Sequence, residues 1–230
     1  MLHDLRNEGN FPVLYIVGAR EFSKERNDVG TGEDSVSPEL VQRLYDTLHP
    51  DAGYLSSAEA VWFKEFIPKA FSQVGEQPVT QRIEIGGLSV ALIFFPDINE
   101  NETEQDRTRV LSSILAAAYT ADNADLRIGV SPWGFQQEYA ARGSLAQAFH
   151  IVLGAGEGAH FPLDTVSMEP AVWVRAAEDG RSVIALDLES CPSRGISPVW
   201  VQDLNIRGRE IRLEENILDD SQIEELLHGQ

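Results

Sequence analysis

The chain has 230 residues, 43% hydrophobic and 24% charged, enough apolar material for a single domain spanning 1–230. Its 37 acidic and 18 basic residues give a formal charge of -19, which disfavours a nucleic-acid backbone or an anionic membrane as partner, since both gain affinity from clustered Lys and Arg. The single cysteine, Cys191, excludes an internal disulfide, no apolar run approaches the ~18 residues of a membrane span, and Met1-Leu2-His3-Asp4 opens no basic, apolar leader. The expectation is a soluble protein of the cytoplasm, periplasmic or exported only if a leader has been removed.

In chain order, apolar runs alternate with helical periodicity, the pattern of an α/β architecture. Phe11 to Val17 predicts a short buried strand. Ser37-Pro38 supplies an N-cap and a proline at the first helical position, and Val41, Leu44, Tyr45 and Leu48 form one stripe of the helix that follows. Asp51 to Leu55 predicts a strand; Ser56 with Glu59 forms a capping box that opens a helix through Val61, Trp62 and Phe66, disturbed or ended by Pro68. Gly86-Gly87 joins Thr80–Ile85 to Leu88–Phe95 as a hairpin whose second strand is continuously apolar and therefore central.

Acidic residues in 99–106 suit the positive end of a long helix carrying Val110, Leu111, Ile114, Leu115 and Ala118. Strand, helix and strand recur at Leu126–Val130, Phe135–Phe149 and Ile151–Leu153. Glu178-Asp179-Gly180 predicts a hairpin between Ala171–Ala177 and Arg181–Leu188, Pro198 to Ile206 a further strand, and Asp219 to Leu227 a short amphipathic helix or a frayed tail.

Four strand-end phrases carry a resemblance: Val17-Gly18-Ala19-Arg20, Leu55-Ser56-Ser57-Ala58-Glu59, Val130-Ser131-Pro132-Trp133-Gly134, and Leu153-Gly154-Ala155-Gly156-Glu157-Gly158. Their order resembles the catalytic domain of the calcineurin-like metallophosphatases, most closely the 5'-nucleotidase and cyclic-nucleotide phosphodiesterase branch, over residues 11–190, leaving 191–230 as C-terminal strands and tail. The resemblance implies an αββα sandwich of two mixed sheets flanked by helices, with the late strands largely in the second sheet. It also implies what is missing. Arg20 stands where the family has aspartate; Ser57 and Ala58 stand where it has Asn-His, before the retained Glu59. Pro132, Gly156 and Gly158 stand where it has histidines, and the opening Asp-x-His strand has no counterpart. A dinuclear centre holds two divalent cations ~3.5–4 Å apart through carboxylates and imidazoles, which these side chains do not replace.

Each remaining feature also has a plainer reading. Glu59 is explained by the capping box alone. Glu157 and His160 have Glu-x-x-His spacing, but in a glycine-rich run that supplies no helix to align them as metal ligands. The same run resembles a phosphate cradle, opposed by Glu157 in its middle, so a simple turn is expected. Trp133, Trp173 and Trp200 are expected in the core or on a sheet surface rather than stacking on a ligand. Neither Ser131 nor Cys191 has the surroundings of a nucleophile. The expectation is therefore a pseudo-enzyme: no catalytic residue, metal or cofactor, with an unknown small molecule or protein as partner. The alternatives are a phosphoesterase with a rearranged set such as Arg20, Glu59, Asp97 and Glu157, or a protein-interaction subunit. The resemblance implies that Arg20, Ser57, Pro132 and 156–158 converge at the strands' carboxyl ends, with Glu59 or Glu157 pairing Arg20.

Overall fold

The computed structural model describes residues 11–22, 37–98, 102–165, 170–176, 182–192, 198–212 and 223–225. Gly86 and Gly87 both have positive φ (57° and 80°), which makes the tight reversal joining β4 (Val79–Ile85) to β5 (Leu88–Phe94). β5 then pairs in parallel with β6 (Leu126–Ser131), β6 with β7 (Ile151–Gly154), and β7 with β9 (Val172–Arg175). β8 (Phe161–Asp164) closes the far edge antiparallel to β9, giving the order β4-β5-β6-β7-β9-β8. A three-stranded parallel sheet is built from β1 (Ile16–Val17), β2 (Ala52–Ser56) and β3 (Phe71–Val74), and β10 (Ser182–Leu188) pairs antiparallel with β11 (Ile206–Arg212).

Alternation along the strands separates three apolar layers. Ala91, Ile93, Phe95, Val152 and Trp173 on one face of the six-stranded sheet pack on α3 (Glu104–Thr120) and α4 (Phe135–Ala148) through Val110, Ile114, Ala118 and Leu145. The opposite face offers Val90, Leu92, Phe94, Ile128, Val130, Val172 and Val174 to Tyr54, Val74, Trp200, Ile184 and Leu186 of the second layer. Beyond that layer, Val17, Leu55 and Phe71 meet α1 (Pro38–Leu48) and α2 (Ser57–Phe63) through Val41, Tyr45, Ala60 and Phe63. The chain is an α/β sandwich with helices outermost.

The second layer is not one mixed sheet as expected: a parallel three-stranded sheet and an antiparallel β10–β11 pair share it. The expected hairpin between 171–177 and 181–188 does not form. β9 is buried on both faces and pairs with β7 and β8, while β10 lies in the other layer against β11, so β9 belongs to the first sheet and not the second. Glu178-Asp179-Gly180 lies outside the described residues.

Other boundaries moved for local reasons. β1 starts only at Ile16, because the Tyr15 N–H is taken by the Asp51 carboxylate at 2.7 Å. α2 ends at Phe63, five residues before Pro68, where Lys64 turns to φ 52°. The expected strand over 198–206 is a turn: the Asn205 side chain bridges the Val201 N–H and the Val199 carbonyl, and Asp203 has φ 62°. Of the expected C-terminal helix only 223–225 are described, and they are helical. Among the described residues no helix is long and apolar enough to cross a membrane.

Candidate functional site

Parallel pairing brings the carboxyl ends of β5, β6, β7 and β9 to one edge. Phe94, Val130, Leu153 and Val174 stand in register, and one step further Ser131, Gly154 and Arg175 do the same. Ligands of open α/β sheets gather outside such an edge. The loop after β1 reaches this edge from the second layer. Arg20 Nε donates to the Pro132 carbonyl at 2.6 Å, and its Nη2 donates to Asp97 Oδ1 at 3.3 Å. A Cβ on Gly156 would lie 3.2 Å from the Pro132 oxygen and 3.4 Å from Arg20 Cδ and Nε. Arg20, Pro132 and Gly156 therefore meet, although 112 residues separate the first two.

The carboxylate that Arg20 reaches is neither Glu59 nor Glu157, but Asp97. Asp97 follows β5, the strand beside β6, so it stands next to Pro132. Glu59 is already committed, with Oε1 accepting from the Phe22 N–H at 3.0 Å and Oε2 from the Ser56 N–H at 2.7 Å. The capping box is complete, since Ser56 Oγ accepts from the Glu59 N–H. Glu59 thus caps α2 and ties it to the chain two residues after Arg20. Ser57 turns away toward β3, donating to the Val74 carbonyl at 3.1 Å, and Ala58 is exposed.

Tyr54, on β2, is 1% exposed and its hydroxyl has no hydrogen-bond partner. Burial pushes this phenol far above its ordinary pKa; Asp97 and Glu59 add to the rise and Arg20 opposes it, which puts the hydroxyl within electrostatic reach of all three.

The glycine-rich run is organised by a residue that no sequence motif announced. Arg175, at the end of β9, donates to five backbone carbonyls: Ala155, Gly156 and Glu157 through Nη2, Ala159 through Nε, and Trp133 through Nη1. Among the described residues no peptide bond is cis, so each carbonyl of the run lies anti to the following N–H. Carbonyls 155–157 converge on the guanidinium, and the N–H groups of 156–158 therefore point away from it. This polarity is the reverse of a phosphate cradle: the run wraps a built-in cation. Gly156 and Gly158 permit it with φ of 80° and 113°, and a Cβ on Gly158 would lie 2.6 Å from Phe135 Cβ. The Glu157 side chain is exposed while its carbonyl also accepts from the Phe135 N–H at 2.8 Å.

Arg175 is paired with Glu138 from the first turn of α4, at 2.5 Å. Burial raises the Glu138 carboxyl to about 7 against the opposing pull of Arg175. A glutamate and an arginine 37 residues apart in sequence gave no signal that they pair.

The tryptophans belong to the core. Trp133 is 3% exposed and donates to the Pro96 carbonyl at 2.8 Å, Trp173 lies under the Arg142 guanidinium at 4.3 Å, and Trp200 is buried in the layer between the sheets. The Cys191 thiol is half-buried and shifted upward by burial and by Asp125. Among the described residues, no three His, Cys, Asp or Glu side chains are grouped so as to hold a metal ion.

No protein-family model matches the chain, and no curated protein matches it.

Proposed function

We propose that this chain is a non-catalytic, metallophosphatase-like binding or regulatory module. The observation that carries the reading is the ion pair of Arg20 with Asp97, with Arg20 also bonded to the Pro132 carbonyl and packed on Gly156. Three residues at expected metal-ligand positions are thus in contact around a guanidinium, which repels divalent cations instead of binding them. The layering of helices outside two packed sheet layers supports the same reading. A rearranged phosphoesterase built on Glu59 is disfavoured by the two backbone bonds that occupy its oxygens.

The test is elemental analysis of protein purified without chelator, with hydrolysis of a nucleoside monophosphate assayed under added manganese. The reading expects no stoichiometric metal and no turnover, and Pro132→His alone is expected to restore neither. About one or two equivalents of manganese, iron or zinc together with hydrolysis would overturn it. A second reading, an interaction subunit, is favoured by Val199, Val201 and Leu204, exposed on the turn before β11.

A further inference from the structure

We infer that the Arg20 guanidinium occupies a binding site for small organic cations at the carboxyl edge of the strands, and that a free guanidinium compound fits the same place. The inference rests on the binding-module reading and names the ligand class of its site.

The groups around the Arg20 head are hydrogen-bond acceptors with a net negative charge. The Pro132 carbonyl and the Asp97 carboxylate hold it directly. The Tyr54 hydroxyl, buried and unpartnered, has an unused oxygen within electrostatic reach of Arg20, Asp97 and Glu59. Two carboxylates against one guanidinium leave the site short of positive charge once Arg20 is displaced, within a chain of formal charge -19. An oxyanion would meet the Asp97 carboxylate directly, with the Pro132 carbonyl beside it. A planar, weakly hydrated cation with several donors is the complement of this set.

Arg20 can leave because little besides the two hydrogen bonds holds its head: its side chain is 43% exposed, and so is 48% of Asp97. Its backbone sits at φ 61°, a region that costs a non-glycine residue energy and persists only where contacts enforce it.

The variant Arg20→Gly isolates the side chain, since glycine adopts this φ without strain. Methylguanidinium chloride at low millimolar concentration should raise the thermal midpoint of Arg20→Gly saturably, above sodium chloride of equal ionic strength. Calorimetric titration should show a single site. Adding Asp97→Asn should weaken that binding about tenfold, the scale of a hydrogen bond to a charged group. Tyr54→Phe in the same background should weaken it less. Wild type should respond only at higher probe concentration, because its tethered guanidinium competes. A folded Arg20→Gly protein, verified by near-ultraviolet circular dichroism, that responds no more to methylguanidinium than to sodium chloride would overturn the inference and leave the binding-module reading standing. If Arg20→Gly fails to fold, Arg20→Gln replaces it and the same comparison decides. Binding of manganese by wild type with hydrolysis would instead sink the reading on which the inference rests.

Discussion

Arg175 Nη1 lies 2.5 Å from Glu138 Oε2, and both side chains are 2% exposed, so the ion pair is wholly inside the protein. The two members are not equivalent. Arg175 also carries five backbone carbonyls, whereas Glu138 contributes one carboxylate, so removing the arginine strands far more polar surface.

Arg175→Met should therefore destabilise by roughly 3–5 kcal/mol, the cost of breaking a buried pair. Glu138→Gln keeps an amide oxygen for Arg175 and should cost clearly less, about 1 kcal/mol. Urea unfolding of both variants checks this; equal losses would mean that the carbonyls gain little from the guanidinium.

Glu138 sets one slope of stability against pH. Its carboxyl is raised from 4.5 to about 7 by burial, so between those values the folded state binds the extra proton. The favourable contribution is complete below pH 4.5 and is lost as pH rises through about 7. Unfolding free energy of Glu138→Gln measured over this window should fall less steeply with rising pH than that of wild type.

His150 works in the opposite direction. Its Nδ1 accepts from the Arg127 N–H at 3.1 Å, and burial, with Arg127 adding, lowers its pKa from 6.5 to about 4. Its contribution is present above pH 6.5 and lost as pH falls through about 4, on the order of 3 kcal/mol in all. His150→Asn retains an acceptor without a titration and should flatten the acid limb. Nuclear magnetic resonance titration of the ring near 6.5 would contradict the assignment.

Two glycines predict opposite signs for one substitution. A Cβ on Gly154 would collide with the Glu138 carboxylate and the Arg175 guanidinium, so Gly154→Ala should destabilise by about 1–3 kcal/mol through overpacking. Gly143 lies inside α4 with nothing within 4 Å of a Cβ, and Gly143→Ala should stabilise by roughly 0.5–1 kcal/mol. Thermal melts of the pair provide the comparison.

Elements with local chemical signals were legible in the sequence. Ser37-Pro38 starts α1, Gly86-Gly87 turns the β4–β5 hairpin, and Ser56 with Glu59 caps α2, all through neighbours a few residues apart. What escaped was decided at long range. β8 contains Pro162, which discourages reading a strand but is tolerated at the sheet edge. The false hairpin at 178–180 came from turn composition, while β9 was claimed by β7 through burial on both faces. At the site, the strand-end phrases point to the convergence of Arg20, Pro132 and Gly156, but also to Ser57, which turns to β3, and to Glu59 or Glu157 as the partner of Arg20 where the structure has Asp97; nothing in the sequence points to the Arg175–Glu138 pair. A buried arginine with distant backbone acceptors leaves no periodicity and no spacing to read.

The strands of each sheet come from one uninterrupted stretch of chain: 16–74 for the three-stranded sheet, 79–175 for the six-stranded sheet and 182–212 for the β10–β11 pair. During synthesis each sheet can close before the next has left the ribosome, an order that spares the chain most long-range searching. The exception is the cover. Val172 and Val174 finish the six-stranded sheet while Ile184, Leu186 and Ile206, which pack in the same layer, are still to come. A nascent chain halted between β9 and β10 would carry all six strands of that sheet with part of its apolar face bare, a surface open to other chains until β10 and β11 arrive to cover it.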